Sequence, residues 1–136
     1  MFIQIRELTK TYVMEDKLVE VLKGINVDIA EGELVALTGA SGSGKSTFLQ
    51  VLGTLDAPTS GEILFKGEPI FDRNDGELAL FRNATVGFVF QSHHLLPDLT
   101  ALENTMMPGL IRRVSRADAR RRAEEVLELV GLGERM

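Results

Sequence analysis

The sequence of 136 residues contains no cysteine, no tryptophan and a single tyrosine. The absence of cysteine excludes disulfides, thiolate metal ligands and a cysteine nucleophile. No apolar stretch approaches the ~20 residues that a membrane-spanning helix requires. Residues 1–6 lack a basic segment followed by a long apolar run, so they do not resemble a secretory signal. We therefore expect a cytoplasmic chain without a membrane span.

Basic residues are in the minority, because 15 Lys and Arg stand against 20 Asp and Glu, a net charge of −5. This balance argues against a nucleic-acid-binding domain, which usually presents a basic face. A basic cluster does occur late in the chain, at Arg112, Arg113, Arg116, Arg120, Arg121 and Arg122. It could form a nucleic-acid or lipid-headgroup surface. However, Glu124 and Glu125 lie one helical turn after two of the arginines, so we favour a solvated helix face with internal ion pairs.

The most informative stretch matches the phosphate-binding pattern G-x-x-x-x-G-K-[ST] and reads Gly39-Ala40-Ser41-Gly42-Ser43-Gly44-Lys45-Ser46. Glycines without a Cβ let successive backbone N–H groups turn towards a polyphosphate. Lys45 would reach the β- and γ-phosphates, and the Ser46 hydroxyl would bind Mg²⁺. A helix that begins here would direct its positive end at the anion. We therefore predict a nucleotide site at Gly39, Ser41, Gly42, Ser43, Gly44, Lys45, Ser46 and Thr47.

The segments on either side of this phosphate loop (residues 39–46) have the periodicities that its chemistry requires. Residues 34–37 form an apolar run of strand length, and residues 48–52 carry apolar side chains at helical spacing. The alternative interpretation, a flexible Gly/Ser linker, would not require a strand pattern before the stretch and a helix pattern after it. A dinucleotide-binding G-x-G-x-x-G would need a third glycine where Thr47 stands.

Strand and helix signals alternate along the rest of the chain. Strands are predicted at residues 2–8, 19–22, 25–29 and 62–65, with a short return at 70–71 and a second buried strand at 86–90. Together with residues 34–37, they predict an α/β fold in which an antiparallel layer lies beside the strand that carries the phosphate loop.

Four helices are predicted. The first helix follows Lys45 and ends near residue 53. Asp75 is expected to cap a second helix, which runs to residue 80. Thr100 begins a capping box, and Pro108 should kink or end that helix. Ser115 begins the last helix, which stops at Gly131. Its apolar face is expected to consist of Ala119, Ala123, Val126, Leu127 and Val130.

The order of these features resembles the ATP-binding subunit of ABC transporters over the whole chain. Tyr12 matches the family's aromatic residue that stacks on adenine. Gln91 ends a Gly-Phe-Val-Phe-Gln segment and matches the glutamine that reaches Mg²⁺ and the γ-phosphate. Residues 24–27 and 58–63 match the segments that precede the phosphate-loop strand and follow the phosphate-loop helix. In isolation, Tyr12 would be a surface aromatic and Gln91 a polar strand end.

This resemblance implies an ABC-type P-loop NTPase fold, with an antiparallel β-subdomain beside an incomplete parallel core sheet. Residues 1–91 would form the β-subdomain and phosphate-loop core of a single domain, and residues 92–136 the start of its helical subdomain. ATP and Mg²⁺ are the implied cofactors. The catalytic positions would be Lys45 and Gln91, and the Mg²⁺ ligands Ser46 and Gln91.

Residues 90–104, followed by Met107-Pro108, are most similar to the lipoprotein-releasing (LolD-like) group and slightly less similar to the macrolide-exporter and cell-division groups. The resemblance implies that a transmembrane permease subunit docks near residues 92–104 and that a second ATPase subunit takes part. It also implies a peripheral position on the inner face of the inner membrane. The adjacent His93 and His94 have poor geometry for a shared metal ion, so we expect a solvated pair.

Three later motifs of the family do not occur in these 136 residues. There is no Leu-Ser-Gly-Gly-Gln signature, no apolar strand ending in Asp-Glu, and no switch histidine, since both histidines closely follow Gln91. We therefore expect the N-terminal portion of a longer transport ATPase, which binds nucleotide but hardly hydrolyses it. The alternatives are another P-loop enzyme, such as a small-molecule kinase with the arginines of residues 112–122 as a lid, and an interaction module without nucleotide.

Overall fold

A long antiparallel hairpin begins the chain. Its strands are β1 (Ile3–Met14) and β2 (Lys17–Ile29), and the pairing runs from Ile3 opposite Ile29 to Met14 opposite Lys17. Alternation of apolar and polar residues predicts these strands, but their lengths differ from the prediction. β1 continues past residue 8, and the two short strands predicted at 19–22 and 25–29 are one strand, because register shifts in the hairpin interrupt the alternation without ending the pairing.

The computed structural model describes all residues, Met1–Met136, which divide into two units, Met1–Val86 and Gly87–Met136. In the first unit, β3 (Ser60–Phe65) pairs with β1 and β4 (Glu68–Pro69) pairs with β3, giving an antiparallel sheet of order β2-β1-β3-β4. The prediction of a return strand at residues 70–71 is wrong, because the return strand is Glu68–Pro69 and residues 70–71 lie outside it. None of the helices in the structure is both long enough and apolar enough to cross a membrane.

Two helices complete the first unit, α1 (Lys45–Leu52) and α2 (Asp75–Thr85). α1 buries Phe48 and Val51 in a core formed with Ile5, Leu8, Leu22, Ile63 and Ile70. The expectation that Asp75 caps α2 and that the helix ends at residue 80 is wrong. Asn74 is the N-cap, because the residue three positions into α2 is Glu77 and the two side chains satisfy each other's backbone N–H groups in a capping box.

The prediction of strands at residues 34–37 and 86–90 is also not met, because neither segment pairs with a strand of the sheet. Leu34 is 99 % exposed and Val89 is 103 % exposed. An apolar run indicates a buried environment, but a strand forms only where a neighbouring strand supplies hydrogen bonds. Within these 136 residues no such neighbour lies beside either segment. A cavity of about 490 Å³ opens instead between residues 35–39, β2 and α1.

The second unit contains α3 (Ala101–Ile111), α4 (Arg116–Leu129) and a short 3₁₀ turn, Gly133–Arg135. Thr100 forms the predicted capping box, and Ser115 accepts a hydrogen bond from the N–H of Asp118 as N-cap of α4. α3 passes through Pro108 for three more residues, so the proline does not end it. α3 packs against α4, and Pro108 removes one backbone hydrogen bond from its interior.

α4 packs against α3 through Ala119 and Ala123, which surround Met106 with small side chains. The prediction that Val126 and Val130 belong to the buried apolar face of α4 is wrong, because they are 50 % and 64 % exposed. The single neighbouring helix covers only a narrow stripe of α4. The predicted ion pairs are present on the solvated side, with N···O distances of 2.7 Å for Arg120–Glu124 and 2.9 Å for Arg121–Glu125.

Candidate functional site

The phosphate loop lies at the N-terminus of α1, where the sequence predicts it. Gly44 is the N-cap, no side chain caps the helix, and the first turn contains no acidic residue. In contrast, a side-chain oxygen accepts a backbone N–H at the start of α2, α3 and α4, and each has an acidic first turn. The first-turn N–H groups of α1, together with its dipole, therefore favour a bound anion.

Lys45 directs its ammonium group back over the loop. Its Nζ donates hydrogen bonds to the carbonyl oxygens of Gly39 and Ala40, both at 2.7 Å, and lies 3.4 Å from the Ser43 hydroxyl oxygen. These contacts hold a positive charge beside the uncapped helix end. Because no carboxylate pairs with Lys45, its charge adds to the positive potential of the helix N-terminus.

A cleft of about 540 Å³ opens at this helix end. It is lined by Val21, Ser41, Gly42, Gly44, Lys45, Ser46 and Thr47. Gly44 has φ +96°, and a Cβ added there would lie 3.0 Å from the Val21 Cγ1 and 3.1 Å from the Val21 carbonyl oxygen. The loop therefore packs directly against β2. The hydroxyl residues Ser41, Ser46 and Thr47 line the cleft, and together with the first N–H groups of α1 they form a donor set that fits a polyphosphate.

Tyr12 lies close to the same helix. Its hydroxyl donates a 2.8 Å hydrogen bond to Asp56 Oδ2, and an interaction with the Thr47 side chain places it beside the first turn of α1. The Asp56 hydrogen bond is the main reason why the pKa of Tyr12 is raised, and burial acts in the same direction. The structure thus brings Tyr12 beside Thr47, one of the predicted nucleotide-site residues.

Lys10 and Asp56 complete the surroundings of Tyr12 and were not predicted as site residues. Lys10 Nζ donates to Asp56 Oδ1 at 2.8 Å and to the Ala57 carbonyl oxygen at 2.6 Å, and it lies 4.9 Å from the centroid of the Tyr12 ring. This ion pair is the main cause of a lowered pKa of Asp56. The alternation of β1 places Lys10 on the same face as Tyr12, but no local signal marks Asp56, which is 44 residues away from Tyr12.

Gln91 lies in the second unit and is exposed. His94 in the same unit packs its ring edge-on against Phe90, with ring centroids 4.7 Å apart. No group of three or more His, Asp or Glu side chains is arranged to hold a metal ion. Mg²⁺ that is bound together with phosphates commonly takes only one or two protein ligands and several waters. The exposed Ser46 hydroxyl at the mouth of the cleft fits that requirement.

Comparison with known proteins places these observations in a family. The lipoprotein-releasing system ATP-binding protein LolD of Myxococcus xanthus is 57 % identical over 134 residues, which are 98 % of this chain and 60 % of that protein. The LolD of Geobacter metallireducens is 56 % identical with the same coverage. The chain therefore spans about 60 % of the length of these curated relatives. The predicted resemblance to the lipoprotein-releasing group is confirmed.

Solved structures agree with this result. The dimeric structure of MJ0796, described as a bacterial ABC transporter cassette, aligns with a TM-score of 0.84 and 43 % identity, covering 93 % of this chain and 56 % of that one. A second structure of this cassette, in a post-hydrolysis state with ADP and Pi, aligns equally well at 42 % identity. The predicted ABC-type fold is thus confirmed. Since the ABC transporter family also matches residues 22–136, most of the sequence, the chain belongs to the ABC transporter family.

Proposed function

We propose that this chain forms the nucleotide-binding part of an ABC transport ATPase and binds ATP with Mg²⁺ at the N-terminus of α1. The observation that carries the proposal is the uncapped start of α1 with the Lys45 ammonium group beside it. The names of the relatives support ATP as the ligand, and the bound ADP and Pi of the solved cassette support a site of this kind.

Each predicted residue has a role in this proposal. The backbone N–H groups of the phosphate loop and of Thr47 surround the phosphates, and Lys45 balances the charge of the β- and γ-phosphates. Bound Mg²⁺ would neutralise the phosphate charge and would be held by the hydroxyl of Ser46. The ring of Tyr12 stacks on the base. Lys45 and Gln91 are the positions through which the chain would contribute to phosphoryl transfer.

The curated relatives are longer than this chain. A full-length protein of this kind would hydrolyse ATP to power lipoprotein release or a related envelope export process. Transmembrane permease subunits would dock near residues 92–104, and a second ATPase subunit would complete the assembly on the inner face of the inner membrane. Within residues 92–104, the side chain of Asn104 in α3 accepts a hydrogen bond from the Leu96 N–H and donates one to the Leu96 carbonyl oxygen. The 136 residues alone should bind nucleotide and hardly hydrolyse it, because neither Leu-Ser-Gly-Gly-Gln nor the strand-terminal Asp-Glu occurs in them.

Calorimetric titration with Mg-ATP tests the binding site. Lys45→Ala should abolish measurable triphosphate binding and leave the circular dichroism spectrum unchanged, because Lys45 lies at the surface of the loop and not in the core. Lys23→Ala is the matched control, since Lys23 is also a lysine of the first unit, is exposed, and does not line the cleft. Equal Mg-ATP affinities of the parent, Lys45→Ala and Lys23→Ala would show that the phosphate loop does not bind the nucleotide.

A further inference from the structure

Three side chains from two separate segments meet beside α1. Lys10 and Tyr12 come from β1, and Asp56 comes from the loop that follows α1. The Asp56 carboxylate binds both partners, with one oxygen accepting from Lys10 Nζ and the other from the Tyr12 hydroxyl, each at 2.8 Å. Asp56, which Lys10 holds in place, therefore restrains Tyr12 at its hydroxyl end.

The loop that carries Asp56 is itself attached to α1. The N–H groups of Leu55 and Asp56 both donate to the Gln50 carbonyl oxygen, at 2.8 and 3.3 Å. The preceding Thr54 is buried, and its carbonyl oxygen accepts a 2.8 Å hydrogen bond from Arg82 of α2. Asp56 is therefore anchored to the same helix whose N-terminus forms the phosphate loop.

One face of the Tyr12 ring is already occupied. Lys10 Nζ lies 4.9 Å from the ring centroid, a cation–π distance, and the side chain of Lys10 is only 12 % exposed. A planar ligand can then stack only on the opposite face of the ring. Because the hydroxyl is hydrogen-bonded and one face is covered, the ring has one orientation to offer before any ligand binds.

We propose that Lys10 and Asp56 are positioning residues that hold the Tyr12 ring for stacking with the base of the nucleotide. The proposal rests on nucleotide binding at the phosphate loop. In this arrangement the loop after α1 holds the Tyr12 ring beside Thr47, in the first turn of the helix whose N-terminus forms the phosphate site. Since a ring face reads no base edges, the positioning strengthens binding of any purine nucleotide and selects none.

Binding of Mg-ATP and of Mg-tripolyphosphate, which has no base, separates this role from that of the phosphate loop. Asp56→Ala should weaken ATP binding about 3- to 10-fold, part of the strength of one stacking contact, and change tripolyphosphate binding less than about 2-fold. Tyr12→Phe keeps the ring but loses the hydrogen bond to Asp56 and the contact of the hydroxyl with the Thr47 side chain, so it should weaken ATP binding more than tripolyphosphate binding without disturbing the Lys10–Asp56 pair. Asp72→Ala removes an equal charge from an exposed position in the same unit and should change neither affinity.

The emission of Tyr12 gives a second readout, because it is the only tyrosine and the chain has no tryptophan. Its fluorescence anisotropy should fall in Asp56→Ala and stay unchanged in Asp72→Ala, since only the first releases the ring. Equal losses of ATP and tripolyphosphate affinity, or an Asp56→Ala protein that binds ATP like the parent, would overturn the positioning role. If the parent protein binds neither ligand, the proposed nucleotide site fails, and the positioning role fails with it.

Discussion

Replacing Gly44 by alanine tests how closely the phosphate loop packs against β2. The added Cβ would lie 3.0 Å from Val21 Cγ1 and 3.1 Å from the Val21 carbonyl oxygen, at a residue with φ +96°. A left-handed backbone costs a residue with a Cβ ~1–2 kcal/mol, and crowding a packed site adds ~1–3 kcal/mol. We therefore expect Gly44→Ala to lower the free energy of unfolding of the first unit by ~2–5 kcal/mol.

Gly42→Ala is the matched control, because Gly42 has φ +78° but nothing lies within 4 Å of its added Cβ. Gly42→Ala should therefore lower the free energy of unfolding only by the backbone cost of ~1–2 kcal/mol. Urea unfolding without nucleotide, followed by the fluorescence of Tyr12 in β1, reports on the unit that contains both glycines. Equal midpoints for the two variants would refute the reasoning, since they would mean that Val21 gives way to the new methyl group at no cost.

Three further predictions concern the site. Tyr12→Ala should weaken ATP and GTP binding alike, by ~1–2 kcal/mol; calorimetry that finds no loss would make Tyr12 a plain surface residue. The lowered pKa of Asp56, due chiefly to Lys10, supplies stability that is present above the unfolded-state pKa of about 3.9 and is lost as the pH falls through the lower folded-state value. The stability difference between the parent and Asp56→Asn, measured by urea unfolding, should therefore shrink below about pH 4, and a difference that grows there would contradict this. Mg-ATP should neither dimerise the 136-residue chain in light scattering nor release phosphate above background, and robust turnover would show that other residues supply the missing motifs.

Features that depend on a few neighbouring residues were predictable from the sequence. The phosphate loop, the capping box at Thr100 and the start of α4 at Ser115 each follow from short-range hydrogen bonding, and all three are present. The same rule explains the error at α2. Asn74 and Asp75 are both good N-caps, but only Asn74 has a glutamate three residues later.

Features that depend on distant partners were not predictable. The apolar residues of 34–37 and 86–90 indicate burial, yet a strand also needs a neighbour, which no periodicity identifies. The contact between Tyr12 and Asp56 had no sequence signal either, because it depends on how the loop after α1 folds back to Gln50.

The uncapped start of α1 makes the ligand part of the folding equilibrium. A helix of eight residues is too short to be stable by itself, and its N-cap, Gly44, has no side chain that could accept a hydrogen bond from the first N–H groups. These N–H groups therefore stay available to a phosphate. Bound nucleotide should supply the missing cap and raise the free energy of unfolding by ~2.7 kcal/mol at a concentration of 100 times Kd. Amide hydrogens of α1 should accordingly exchange more slowly with nucleotide than without it, so that this helix reports whether the protein is loaded.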